Sequence, residues 1–272
     1  MSVKVEESPI TFSYLRKFNK AMGVLHLVQG LLVLSLGLIV ENVKNFSIDI
    51  YTFYLGIKEL RPDGPPIFEP TPEVAFTFQN IAGILLSTFL LMSALAHLLI
   101  AFPLNKYYET KLRKHMNPMR WVEYAFSSSV MIIFIALIFG ILSFWVLFLI
   151  FVLNGLMNMF GYLMEAYNQY TEKTSWTPYI LGWIAGAAPW VVIFANIVNI
   201  NTVGRAVPTF VWVAFAMYFI FFNSFAINMF LQYKKVGPWK DYLYGERMYQ
   251  LLSLFAKSAL AWIVFVGLLA AG

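Results

Sequence analysis

The sequence predicts an all-α membrane protein of seven transmembrane helices, with a small β-hairpin in its long first loop. Three observations carry that prediction. Hydrophobic residues make up 60% of the chain and charged residues 12%, with a mean hydropathy of +0.70, far from the balance of a soluble globular domain. Apolar residues then gather into seven separate runs, each near the roughly 20 residues that a helix needs to cross a bilayer. In 272 residues those runs and their connections fill the chain, so residues 1–272 read as a single membrane domain.

The runs fall at approximately 20–40, 78–101, 119–140, 143–165, 178–200, 207–232 and 247–270. The first follows a polar stretch of about twenty residues and has no A-x-A-like exit, so it is expected to stay as an anchor and not to be cleaved as a signal peptide. The loop after it, from about Glu41 to Thr77, contains Phe46-Ser47-Ile48-Asp49-Ile50-Tyr51-Thr52-Phe53. That stretch roughly alternates and is rich in β-branched and aromatic residues, which suits a hairpin that could serve as an oligomer contact. Pro62, Pro65, Pro66, Pro70 and Pro72 suit a structureless loop equally well. A short turn around Ser143 makes the third and fourth spans a tight antiparallel pair. No internal repeat is visible.

Basic residues set the orientation. One side of the membrane collects Lys4, Arg16, Lys17, Lys20, Lys106, Lys111, Arg113, Lys114, Lys173, Lys234, Lys235, Lys240 and Arg247, against Lys44, Lys58, Arg61 and Arg205 on the other. The positive-inside rule then places the N-terminus in the cytoplasm and the C-terminus outside, in a multi-pass protein of the cell membrane. The net charge of +5 is accounted for by these loops, and no aromatic-interleaved basic domain points to nucleic acid. There is no cysteine, which removes disulfides, thiolate catalysis and Cys-based zinc sites. Three histidines are too few for a His-rich metal centre.

The discriminating residues are the ionisable ones at membrane depth, His26, His97, Arg120, Glu123 and Lys257, because each is costly there unless paired or hydrated. Lys257 lies near the middle of the seventh run, too deep to snorkel easily. Its amine must be neutral, paired or used in a covalent bond; a desolvated amine is a good nucleophile toward an aldehyde, and the protonated imine that results needs an anion nearby. Glu123 is the available carboxylate. Arg120, three residues earlier on the same helix face, either helps to keep Glu123 ionised or simply neutralises it at a helix end. His26, His97, Ser93 and Ser253 fall toward the same side as these charges, as a polar cluster would; singly, each histidine is as compatible with a helix-to-helix hydrogen bond as with proton acceptance. Trp121, Tyr124, Met157, Trp190, Phe222, Phe225 and Trp262 can line an apolar pocket for a polyene, with Gly161 and Pro189 leaving room, although ordinary packing would use the same residues. Glu165, at the end of the fourth run, reads as an exposed cap in preference to a functional contact.

Taken together, Gly23-Val24-Leu25-His26, Ser93-Ala94-Leu95-Ala96-His97, Arg120-Trp121-Val122-Glu123-Tyr124 with Ser127-Ser128-Ser129, Phe222-Asn223-Ser224-Phe225, Gly245-Glu246-Arg247 and Ala256-Lys257-Ser258-Ala259-Leu260-Ala261-Trp262 closely resemble heliorhodopsins, across all seven spans. The resemblance implies a rhodopsin-like bundle with all-trans retinal as a Schiff base on Lys257 and Glu123 as counterion. It places Ser253 where ion-pumping microbial rhodopsins usually carry a second carboxylate. It also implies that Arg120, Ser93, His26 and His97 shape a hydrogen-bonded cavity, and that Asn154, Met157, Gly161 and Phe222 join the pocket, beside Tyr124, Ser127, Phe225 and Trp262. Family members are typically dimers with a slow photocycle and generally no detected ion transport, so a sensory role is expected, with the signalling partner unknown.

A pump needs a proton relay on both sides of its chromophore, yet beyond Lys257 the seventh run reads Leu260-Ala261-Trp262-Ile263-Val264-Phe265-Val266, without an ionisable group. That favours a sensor, which releases its proton only to the cytoplasmic-side polar cavity. The alternative is a light-driven proton or ion transporter or channel using hydroxyls and water. An intramembrane enzyme is not expected, since the spans offer no cysteine and no carboxylate dyad.

Overall fold

The computed structural model describes residues 8–202 and 209–270; Lys4 and Arg205, both counted in the charge asymmetry, and the first two residues of the sixth apolar run lie outside them. Seven helices are long and apolar enough to span a membrane: α1 (Phe12–Ile39), α3 (Ile81–Ala101), α5 (Pro118–Ile138), α6 (Phe144–Tyr167), α7 (Thr177–Thr202), α8 (Thr209–Tyr233) and α9 (Tyr242–Ala270). The short helices α2 (Glu41–Lys44) and α4 (Asn105–Leu112) and a 3-10 turn at Gly237–Lys240 complete the helical content among the described residues. α4 and the starts of α1, α5, α7 and α9 share one end of the bundle, and the β-hairpin occupies the other.

The expected spans are present, with two starts displaced. α1 begins eight residues before the apolar run, because Thr11 caps it by accepting from the Tyr14 N–H at 3.1 Å. Its first turns then alternate exposed Arg16 and Lys20 with buried Leu15 and Asn19, so a helix carries the chain out through the interface. α9 begins at Tyr242, five residues early, for a similar reason: Tyr249 and Glu246 are buried against neighbours although they precede the apolar core of that span. α5 starts with Pro118 at its first turn and with Asn117 Oδ1 accepting from the Arg120 N–H at 3.2 Å, the usual pairing of proline and a capping side chain. α5 turns into α6 through Gly140, whose φ of 86° suits glycine.

The first loop forms a hairpin longer than the alternating stretch suggested. β1 (Ile48–Glu59) pairs antiparallel with β2 (Ile67–Phe78), from Ile48 opposite Phe78 to Glu59 opposite Ile67, with irregularities after Ile50 and Ile57. Pro70 and Pro72 lie inside β2. Two residues apart, their missing N–H groups fall on the same edge of a two-stranded ribbon, where proline is tolerated. The ribbon is anchored at its base: Ile50 is buried in the core, the Tyr51 N–H donates to the Leu142 carbonyl at 2.9 Å, and the Ile81 N–H to the Phe46 carbonyl at 3.2 Å.

α1 and α3 approach through a seam of small residues. Gly23, Gly30 and Gly37 recur every seven residues on α1 and are all buried. A Cβ at Gly37 would lie 2.7 Å from the Gly83 Cα, one at Gly30 2.8 Å from Leu91 Cδ2, and one at Gly23 3.3 Å from the His97 Cβ. In lipid, where no hydrophobic effect draws helices together, close backbone approach of this kind supplies the packing. Gly37→Leu is therefore expected to destabilise the bundle by about 1–3 kcal/mol through overpacking against backbone that cannot yield. Lipid-facing Val28→Leu should be neutral. Thermal unfolding in detergent followed by circular dichroism checks both, and an unchanged midpoint for Gly37→Leu would contradict the seam.

Candidate functional site

Lys257 on α9 is 3% exposed and meets two other spans. Its Nζ donates to Glu123 Oε1 of α5 at 2.8 Å and also to the Ser93 hydroxyl of α3, and that hydroxyl donates in turn to Glu123 Oε1 at 2.6 Å. An ammonium and a carboxylate in a bilayer are tolerable only with a partner at this range. On the side of α1, His26 is fully buried and stacks on His97, the ring centroids 5.6 Å apart and the planes within 8°. Asn19 Oδ1 lies 2.8 Å from His97 Nδ1. Both ring nitrogens of His26 and the hydroxyls of Ser127 and Ser253 are buried and take no partner from the described residues.

Beside this polar group lies an apolar cavity of about 480 Å³ between α5, α6, α7 and α8. Tyr124 stands at the junction. Its ring is 5.3 Å from the Lys257 Nζ, its hydroxyl donates to the Tyr249 carbonyl at 3.0 Å, and it also lines the cavity. Trp190 forms much of the far wall, packed edge-on against Phe215, Phe219 and Phe222. Gly161 admits the Trp121 ring and Gly186 the Met157 side chain, each of which a Cβ would displace.

The expected pocket residues Tyr124, Met157, Gly161, Phe222 and Phe225 line the cavity, together with Trp121 and Trp190. Other expectations differ from what is observed: Ser127, Asn154 and Trp262 do not line the cavity. Asn154 lies behind the wall, its Nδ2 donating to the hydroxyls of Ser128 at 2.7 Å and Ser129 at 3.0 Å. Trp262 does not line the cavity and donates from Nε1 to Gln29 Oε1 of α1 at 3.0 Å. Arg120 makes no pair with Glu123; its guanidinium bonds to Glu165 and Glu246 instead. The reason is direction: side chains three apart on a helix share a face only coarsely, and Arg120, one turn closer to the helix end, meets α6 and α9 where they bring carboxylates. Asn158, a cavity residue not singled out in the sequence, lies one turn from Asn154 and shares its helix face.

Glu165 is consequently not an exposed cap. It is 1% exposed and accepts from Arg120, from the Asn117 N–H and Trp121 Nε1, both at 2.8 Å, and from the Tyr242 hydroxyl at 3.2 Å. Glu246, also 1% exposed, accepts from Asn117 Nδ2 at 2.8 Å and the Tyr108 hydroxyl at 3.1 Å. The Arg120 guanidinium lies 3.9 Å from the centre of the Tyr249 ring and 4.7 Å from that of Trp121. Sequence reasoning missed this second charged cluster because Glu165 and Glu246 stand at the ends of apolar runs, where carboxylates are ordinarily solvated.

The heliorhodopsin family model matches residues 15–269. The chain belongs to the heliorhodopsin family. Comparison with curated proteins gives no match. Heliorhodopsins are retinal photoreceptors, so this seven-span protein is a rhodopsin-like light-sensing protein with a retinal chromophore. The residues fit that group. A buried primary amine with a carboxylate beside it stands next to an apolar, aromatic-lined cavity whose size is within the range of small-molecule sites, and the hydroxyl of Ser253, one turn from Lys257 on α9, is buried without a partner among the described residues.

In this heliorhodopsin the Arg120 cluster carries one positive and two negative groups in a buried setting. Arg120→Ala leaves two carboxylates facing each other without a cation, and is expected to cost about 3–5 kcal/mol. Adding Glu165→Gln and Glu246→Gln should restore part of that loss. Equilibrium unfolding of the three variants checks it; an Arg120→Ala protein as stable as the parent would contradict the cluster's geometry.

Proposed function

We propose that Lys257 is the retinal attachment site, as a Schiff base with Glu123 as its counterion, and that the protein is a light sensor and neither a pump nor an enzyme. The observation that carries this is the buried Lys257–Glu123 pair at 2.8 Å with the Tyr124 ring between it and the apolar cavity. Bound retinal, taken to be all-trans, supplies light absorption and a change of shape. The chain's own residues do the rest. Glu123 and Ser93 hold the cation of Lys257 in a water-poor setting, Tyr124 and Trp190 orient the apolar group, and Ser253, Ser127, His26 and His97 offer polar atoms on one side of the amine.

A sensor is favoured over a pump by the asymmetry of the bundle. Toward the hairpin, the buried residues of α9 beyond Lys257 are Leu260, Ala261 and Phe265, packed with Phe134, Ile135 and Leu86. Toward α4, the described interior holds His97, Asn19, Arg120, Glu165 and Glu246. A proton leaving Lys257 has polar company on one side and hydrocarbon on the other, which suits a slow cycle of release and return without net transfer. The α4 end also carries Arg16, Lys17, Lys20, Lys106, Lys111, Arg113 and Lys114, which supports a cytoplasmic N-terminus in the cell membrane. The hairpin supports a homodimer, since its outer part exposes Phe53, Leu55, Ile57 and Phe68.

With all-trans retinal added, the purified protein is expected to develop a visible absorption band that Lys257→Ala lacks and that hydroxylamine bleaches under illumination. Illuminated cells should show no sustained pH change in the medium. A folded protein without a visible band would sink the assignment of Lys257, and a lasting light-driven pH change would replace the sensor with a transporter.

A further inference from the structure

Two buried polar clusters occupy the α4 half of the bundle, one around Lys257 and His97 and one around Arg120. Among the described residues the side chain that joins them is Tyr108. It belongs to α4, a surface helix outside the seven spans, yet it is 1% exposed. Its hydroxyl donates to Glu246 Oε1 at 3.1 Å, accepts from Gln250 Nε2 at 3.2 Å and, at the outer limit of a hydrogen bond, from Asn19 Nδ2 at 3.5 Å. A phenol has one donor and two acceptor positions, so its capacity is fully used. Burial and the Glu246 carboxylate raise the Tyr108 phenol well above its usual range, so it remains neutral and keeps its donor hydrogen.

Asn19 makes the arrangement directional. Its Nδ2 donates to the Leu15 carbonyl at 2.9 Å and reaches Tyr108 at 3.5 Å, which leaves its Oδ1 facing His97 Nδ1, so His97 donates from Nδ1 and Tyr108 is left free to donate to Glu246. His97 is also faced by His26 of α1, Glu123 of α5 and Lys257 of α9. A change of tautomer, with the ring proton on Nε2 in place of Nδ1, turns Nδ1 into an acceptor. The Asn19 amide, still held by the Leu15 carbonyl, then loses its donor from His97, and the contact of its Nδ2 with the Tyr108 hydroxyl shifts with it. Each hydrogen bond in the series fixes the donor or acceptor role of the next.

Resting on the assignment of Lys257 as the chromophore site, we propose that Tyr108 is the positioning residue that couples the His26–His97 pair to the Arg120 cluster, making α4 the element that reports the state of the light-sensing site at the surface. α4 is built for this. Asn105, Tyr108 and Leu112 are buried while Lys106, Tyr107 and Thr110 are exposed, so one face is held by the interior bonds and the other faces solution.

Hydrogen exchange over residues 105–112 of the full chain tests the coupling in the dark, without retinal. His97→Ala is expected to speed that exchange about fivefold or more, as a coupling of ordinary strength would. It should add nothing in a Tyr108→Phe background, nor in an Asn19→Ala background, which cuts the same route one residue earlier and serves if Tyr108→Phe fails to fold. An equal response to His97→Ala with and without the Tyr108 hydroxyl, or no response in the parent, overturns the proposal. With retinal, illumination should alter the same exchange in the parent but not in Tyr108→Phe, whose visible band is retained; a light response that persists in Tyr108→Phe also overturns it. Absence of a visible band in the parent would defeat the chromophore assignment alone and leave the dark result to stand.

Discussion

A lysine ammonium buried in a bilayer protein constrains everything around it. Desolvation of each ion costs several kcal/mol, and only a close, well-oriented counter-charge with further hydrogen bonds offsets it. Here the offset needs three spans at once, since α9 supplies Lys257, α5 supplies Glu123 and α3 supplies Ser93. Any movement of one helix against the others changes how well the cation is held. The same contact therefore fixes helix packing in the resting protein and makes packing sensitive to the charge on Lys257, which is the property a sensor requires.

The second cluster works differently. Arg120 is gripped by two carboxylates and lies against the rings of Tyr249 and Trp121, so α5, α6 and α9 are tied together near their α4 ends. Its residual negative charge is spread over hydrogen bonds from Asn117, Trp121, Tyr108 and Tyr242. One end of the bundle is thus polar and cross-linked, whereas the hairpin end is filled by aliphatic and aromatic packing.

Much of this was legible in the sequence because a bilayer leaves few alternatives. Seven apolar runs had to be helices, and a lysine in the middle of one had to be neutral, paired or used in a covalent bond, with Glu123 the available carboxylate. Less visible were features that depend on how helices are rotated. Arg120 and Glu123 are three residues apart, and spacing alone could not tell that one would face α6 and α9 while the other faced Lys257. Glu165 and Glu246 looked like solvated ends because burial of a helix end depends on what packs over it, here α4 and the loop before α5. Trp262 and Asn154 have the right chemistry and depth for the pocket, but Trp262 turns toward Gln29 and Asn154 toward two serines. The hairpin's length was hidden by prolines that a two-stranded ribbon accommodates on its open edge.

The glycine seam of α1 bears on how such a chain can change over time. Most outward positions of α1 meet only lipid tails, which accept nearly any apolar side chain, so that surface is free to drift. At Gly23, Gly30 and Gly37 the permitted alphabet shrinks to the smallest letter, and Gly23 lies against the Cβ of His97 itself. The close approach of α1 to α3 beside the stacked His26 and His97 thus depends on the absence of a side chain one turn earlier on α1. A methyl group added there would press on Leu98 and on the Cβ of His97, so a residue with no functional group of its own belongs to the inheritance of the buried polar cluster.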